Sequence, residues 1–142
     1  MCEAFSVLAV LAGRTSRVQL GSSVLVLQQR QTLVVARLRA TLDALCGDRT
    51  ILGVGTGFMR EQFEALRADT FERRGQATDE AIKLLRAMWA AEGEVSFAGD
   101  VYRFALLWFL PKPATRRGPP TWIGGSTDER FVGRQNSAIA CM

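Results

Sequence analysis

Apolar positions along this chain recur with two different periods, and the two periods alternate. Between residues 3 and 13, Phe5, Leu8, Ala9 and Ala12 fall on one stripe at helical spacing, which predicts a buried helix. From Arg17 the pattern changes. Arg17-Val18-Gln19-Leu20-Gly21 opens an extended run that continues through Ser23-Val24-Leu25-Val26-Leu27. Its density of apolar and β-branched residues suits a strand covered on both faces, as in a parallel sheet. A second helix is expected from about Leu33 to Leu45, with Val34, Leu38, Leu42 and Leu45 turned inward and Arg37, Thr41 and Asp43 facing away. Gly47 is placed to end it in the left-handed conformation. Thr50-Ile51-Leu52-Gly53-Val54-Gly55 follows as a short buried strand. Strand, helix and strand in this order make a βαβ unit with a right-handed crossover.

After Gly57, Met59, Phe63 and Leu66 mark a short amphipathic helix, and a longer one is expected from about Phe71 to Ala90 with Ile82, Leu85 and Trp89 inward. Val95 to Phe104 reads as a hairpin turning on Ala98-Gly99-Asp100. Pro111-Lys112-Pro113 through Pro119-Pro120 is a connector, because proline removes backbone donors and fixes φ. Thr121-Trp122-Ile123-Gly124 is a third short strand. The class is therefore α/β, with about three parallel strands, crossover helices and a small hairpin insertion. Such a pattern fits an open doubly wound sheet or part of a (β/α)₈ barrel, and periodicity alone does not choose between them.

Composition narrows the function classes. With 48% hydrophobic and 23% charged residues among 142, the chain has the balance of a soluble globular domain. Its net charge of +4 comes from scattered arginines without aromatic interleaving, so no nucleic acid partner is expected. The apolar run Phe5 to Leu11 is preceded by Glu3, where a signal peptide is basic, and is too short to span a bilayer; no membrane partner is expected. Cys2, Cys46 and Cys141 are dispersed and there is no histidine. That pattern suits a reducing cytoplasm and argues against both a zinc site and an activated cysteine nucleophile.

Three segments are candidates for ligand contact. Gly53-Val54-Gly55-Thr56-Gly57 lies at a predicted strand end, where glycines allow close approach of a ligand to the backbone. On this motif alone a tight strand-to-helix turn is as good a reading as a phosphate or cofactor loop, since neither a P-loop Lys-Ser/Thr nor a third fingerprint glycine follows. Gly124-Gly125-Ser126 follows the third strand, and two such turns at carboxyl ends of one parallel sheet lie on its ligand-binding side. Gly21-Ser22-Ser23-Val24 places small residues inside an apolar strand, the mark of a bulge or a close backbone approach. Among charged candidates, the dipole of the long helix accounts for Asp79-Glu80, and Arg73-Arg74 and Arg116-Arg117 are read as solvated.

The order of these motifs resembles that of the luciferase-like, flavin-dependent monooxygenases, closest in spacing to their deazaflavin-dependent branch. The resemblance runs through Thr15 to Val24, Ala40 to Leu45, Arg49 to Gly57, Arg60-Glu61-Gln62-Phe63, Phe97-Ala98-Gly99, Pro111-Lys112-Pro113 and Pro119 to Ser126. It implies that residues 1–127 form part of a (β/α)₈ TIM barrel holding its third, fourth and fifth strands, while residues 128–142 are an atypical tail. It implies FMN or the deazaflavin coenzyme F420 as cofactor, and hydride transfer or oxygenation of a small organic substrate. The implied cofactor-binding residues are Ser22, Ser23, Val24, Gly55, Thr56, Gly57, Gly124, Gly125 and Ser126, with the Ser23–Val24 peptide bond cis beneath the flavin ring. No catalytic residue is assigned. Phe58 stands where several relatives carry glutamate, which removes one possible proton donor. Two other classes stay open: a non-catalytic remnant that self-associates through exposed sheet edges, and a Rossmann-like nucleotide-binding module.

Overall fold

The computed structural model describes residues 2–125. They form a mixed α/β fold with parallel strands. In order these are α1 (Ala4–Arg14), β1 (Leu20–Gly21), β2 (Leu25–Val26), α2 (Thr32–Cys46), β3 (Thr50–Gly55), α3 (Arg60–Ala65), α4 (Arg74–Ala90), β4 (Glu94–Ala98), β5 (Arg103–Trp108) and β6 (Thr121–Gly124). β3 is central. On one side it pairs with β6, Leu52 opposite Thr121 and Gly55 opposite Gly124; on the other it pairs first with β1 and then with β2. All these pairings are parallel. β4 and β5 form a separate antiparallel hairpin.

The extended run expected from Arg17 to Leu27 is thus broken. Gly21 sits opposite Ile51, and Leu25 opposite Val54, so one more residue lies on this side than on β3. That surplus lifts Ser22 to Val24 out of the ladder, as a bulge does. The chain then enters a 3₁₀ turn at Leu27–Gln29 rather than continuing as strand. The hairpin is also longer than expected: it reaches Trp108, and its turn spans Gly99 to Tyr102.

The core lies between sheet and helices. Leu25, Leu52 and Val54 meet Val35, Ala36 and Ala40 of α2 and Ile82, Leu85 and Trp89 of α4. The Trp89 indole N–H donates to the Ala36 carbonyl at 3.1 Å, tying the two helices together. Ile82, Leu85 and Trp89 are buried as their spacing predicts. The expectation for α2 holds for the buried Leu42 and the exposed Arg37 and is overturned at Val34, Leu38, Leu45 and Asp43. Val34, Leu38 and Leu45 are 50%, 41% and 78% exposed, whereas Asp43 is fully buried. The side toward the sheet takes Val35, Ala36, Ala40 and Leu42, whose small members let helix and sheet approach closely. Asp43 turns inward because it has partners there: its carboxylate accepts from the Thr50 hydroxyl and from the backbone N–H groups of Ala114 (2.9 Å) and Thr115 (3.5 Å).

Beneath the sheet, Arg49 gathers the amino ends of the strands. Its guanidinium donates to the carbonyls of Cys46 (2.8 Å), Val18 (2.9 Å) and Thr15 (2.9 Å), closing the loop between α1 and β1 onto the end of α2. At the other end of α1, Glu3 caps the helix by accepting from the backbone N–H groups of Phe5 and Ser6, and it pairs with Arg30 at 2.9 Å. Burial pushes the Glu3 carboxyl up, but the Ser6 and Phe5 N–H groups, the Ser6 hydroxyl and Arg30 together outweigh that and bring it down to about 2. A carboxyl depressed in the folded state stabilises fully above its ordinary value, 4.5, and loses that contribution as pH falls toward 2. Because Glu3 is 42% exposed, solvent screening holds its worth near that of an ordinary cap, about 1 kcal/mol. Glu3→Gln is expected to lower the urea midpoint at pH 7 and to flatten its decline between pH 4.5 and 2. A variant that tracks the wild type through that window would remove the cap from the stability of α1.

Candidate active site

The carboxyl ends of three parallel segments come level at one edge of the sheet, where Val26 pairs with Gly55 and Gly55 with Gly124. The two sheet faces differ in kind. Toward the helices point Leu25, Leu52, Val54 and Ile123. On the opposite face, in register, stand Gly53 opposite Trp122 and Gly55 opposite Gly124. The glycines of this face receive the segment that the bulge lifts out.

Ser22 is spent on holding that segment. Its hydroxyl donates to the Gly53 carbonyl at 2.9 Å and accepts the Gly53 N–H at 3.1 Å, so one side chain replaces the missing rungs of the ladder. The next peptide bond, Ser23–Val24, is cis, as the resemblance implies. Val24 then lies across the glycines. A Cβ on Gly55 would stand 2.5 Å from Val24 Cγ2, and one on Gly124 would stand 2.9 Å from Val24 Cγ1. Val24 is nonetheless 48% exposed and presents an apolar surface at the mouth of the sheet.

The structure therefore brings Ser22, Ser23, Val24, Gly55 and Gly124 together around one side chain. Gly55 and Gly124 meet Val24 in the first instance, which the motif alone did not reveal. Thr56 and Gly57 follow, both half-buried, and Gly125 is exposed just past β6. Ser126 lies outside the described residues. Gly57 adopts φ +77°, a conformation that favours glycine, with the Phe63 ring and Val26 close beneath it.

Three positioning residues were not legible in the sequence. Arg74, read as solvated, is half-buried: it donates to the Gly57 carbonyl at 3.1 Å and to the Phe71 carbonyl at 3.0 Å, and its guanidinium lies 4.6 Å from the Phe71 ring centre. Arg60 lies over the same ring at 4.3 Å and pairs with Glu72. Phe71 meets Phe63 edge to face at 5.2 Å, so a packed aromatic pair holds the loop after β3. Phe58, within that loop, is 86% exposed. Glu80, attributed to the helix dipole, instead accepts from the N–H groups of Tyr102 (2.7 Å), Val101 (2.9 Å) and Asp100 (3.0 Å). Burial acts to raise its carboxyl, and these three donors outweigh it and hold it below the ordinary range. Neither arginine nor glutamate has a spacing signal that would have announced these roles. Arg74 reaches Gly57, Arg60 reaches Glu72 and Glu80 reaches the hairpin turn, each a segment at least twelve residues away.

Among the described residues no helix is long and apolar enough to cross a membrane.

The model of the luciferase-like monooxygenase family matches residues 2–134, and the chain belongs to that family. It is 35% identical to the F420-dependent glucose-6-phosphate dehydrogenase of Intrasporangium calvum over 97% of its own length and 42% of the relative's. Among solved structures, the monooxygenase RslO1 of Streptomyces bottropensis superposes with a TM-score of 0.79 at 27% identity, over 90% of this chain and 38% of that one. The oxygenating constituent of 3,6-diketocamphane monooxygenase from Pseudomonas putida, in complex with FMN, shares the fold with a TM-score of 0.80 at 16% identity, over 96% of this chain and 41% of that one. The chain thus spans about two fifths of the length of these relatives.

Proposed function

We propose that this chain carries the cofactor face of a cytoplasmic flavin- or deazaflavin-dependent oxidoreductase, and that its parallel strands are a segment of a (β/α)₈ barrel spanning residues 1–127. The observation that supports this most is the seating of Ser22 over Gly53 and of the Val24 side chain over Gly55 and Gly124 at the carboxyl ends of the strands, the end at which barrels of this class hold their ligands. The reading that a planar ring is set there is supported by what the face offers: glycine backbone, the half-exposed Val24 and, in register with Gly53, Trp122. Ser22, Ser23 and Val24 would hold the ring, Gly55, Thr56 and Gly57 would line it, and Gly124, Gly125 and Ser126 would meet the phosphate-bearing tail. When bound, FMN or coenzyme F420 supplies the redox chemistry for hydride transfer or oxygenation of a small organic substrate. The chain's own residues position the ring and screen it on the sheet side.

The test is titration of the purified chain with FMN and, separately, with coenzyme F420, following cofactor fluorescence. Saturable binding at about micromolar concentration is expected, weakened at least about tenfold by Val24→Asp. A second reading, a non-catalytic remnant, is favoured by the outer edges of β1, β2 and β6, which have no strand partner among the described residues. A folded chain that binds neither cofactor would leave that second reading standing.

A further inference from the structure

An antiparallel hairpin with one face on a core alternates along each strand, apolar inward and polar outward. β4 follows that rule. Val95 and Phe97 turn toward the core, while Glu94, Ser96 and Ala98 are exposed. β5 does not. Its inward residues Phe104 and Leu107, and Phe109 just past it, pack on the same core. Yet its outward row is apolar as well: Leu106, Trp108 and, beyond the strand end, Leu110 are 70%, 63% and 66% exposed. The hairpin rests on α4 and α4 on the sheet, so this row looks away from the strands and closing a barrel around β3 would leave it open. A charge stands at each end of the row. Trp108 lies opposite Glu94 and donates its indole N–H to that carboxylate at 3.0 Å, and Arg103 lies opposite Ala98 at the turn end.

We infer that the outer face of the β4–β5 hairpin is an interface with a second copy of this chain, the two hairpins stacked face to face with their strands antiparallel. A two-fold contact requires one patch to complement itself. With the axis at Leu106, that side chain meets its own copy. Each Trp108 ring then faces the Arg103 guanidinium of the other chain, a cation–π contact made twice, with Glu94 beside it as counter-charge. Stacking with the strands running the same way would set Arg103 against Arg103 and Glu94 against Glu94, and is disfavoured. Glu94 at the row also speaks against an anionic lipid surface as the occupant. Covering Leu106, Trp108 and Leu110 removes on the order of 400 Å² per copy from water, about half of what a standard interface takes from each partner. The association is therefore reversible, with dissociation at about 10–100 µM.

The test is sedimentation of the full chain from ~1 to ~300 µM. Concentration-dependent association is expected, weakened at least about tenfold by Leu106→Glu or by Trp108→Lys, with far-UV circular dichroism unchanged because both side chains stand in solvent. A third variant tests the pairing itself. Trp108→Lys sets a second cation against Arg103 of the other copy, and adding Arg103→Glu turns that repulsion into an ion pair. The double variant should therefore associate at least about fivefold more tightly than Trp108→Lys alone. Four results would overturn the inference: a monomer at every concentration, association that Leu106→Glu and Trp108→Lys leave unaltered (as contact through helices or strand edges would give), a double variant no tighter than Trp108→Lys, or a chain that binds phosphatidylglycerol vesicles through this face but not itself.

Discussion

Asp43→Ala is expected to unfold most of the chain at room temperature, or to lower its stability by about 3–5 kcal/mol if it remains folded. The carboxylate is fully buried and accepts from three groups, the buried Thr50 hydroxyl and the partly buried N–H groups of Ala114 and Thr115. It is also the nearest counter-charge to Arg39, whose guanidinium nitrogens have no hydrogen-bond partner among the described residues. Burial lowers the Arg39 pKa to about 10, with Asp43 and then Cys46 opposing the drop, so the side chain is cationic at neutral pH. Removing Asp43 leaves that cation in the interior without compensation, on top of unpaired donors. Whole domains are stable by only about 5–15 kcal/mol, so this loss is a large share. Two variants separate the contributions in urea titrations. Asp43→Asn keeps one acceptor oxygen, enough for the connector N–H groups or for the Thr50 hydroxyl but not for both, and no charge, and should fall between wild type and Asp43→Ala. Arg39→Met should be better tolerated in the Asp43→Ala background than in the wild type, because there it removes an unpaired charge. An Asp43→Ala chain within about 1 kcal/mol of wild type would show that the buried pair carries little of the fold.

That the same helix misled the sequence reading has a physical reason. Periodicity finds an apolar stripe but not what the stripe faces. In α2 the larger stripe, Val34, Leu38 and Leu45, points outward, and the sheet is met by Val35, Ala36, Ala40 and Leu42. Asp43 looks like a surface residue until Thr50 and the connector are seen to supply its partners, and the connector lies some seventy residues away. Elements whose identity rests on local chemistry were legible: β3 from its run of buried apolar residues, the end of α2 from Gly47 at φ +64°, the hairpin from its turn residues. The interruption at Ser22 to Val24 was visible only as small residues in an apolar run. Which atoms fill the space those residues leave is a matter of register between strands, and register is not written in either strand alone.

Gly53→Ala is expected to be the most damaging of the glycine substitutions at the candidate site, for a reason that ties stability to function. A Cβ on Gly53 would collide with the Ser22 carbonyl oxygen, a backbone atom that the Ser22 hydroxyl already fixes through two bonds to Gly53. Relief requires β3 or the Ser22–Val24 segment to move, so a loss toward the upper end of the usual overpacking cost, about 3 kcal/mol, is expected. Gly55→Ala meets Val24 Cγ2 at 2.5 Å and Gly124→Ala meets Val24 Cγ1 at 2.9 Å, both methyl groups that can give way in part. Their costs should be smaller and fall in that order. Gly21→Ala, with Ile51 Cβ at 3.5 Å in ordinary contact, serves as the near-neutral control. The distinction is testable by rescue. Val24→Ala deletes the methyl groups in question, so it should restore much of what Gly55→Ala loses and nothing of what Gly53→Ala loses. If instead all four glycine variants unfold at one urea midpoint, the seating of Val24 is not what these glycines are for. If the order holds while cofactor titration falls in step with the displacement of Val24, the glycines act on the ligand at one remove: they make room for Ser22 to Val24, and that segment forms the surface on which the ring is set.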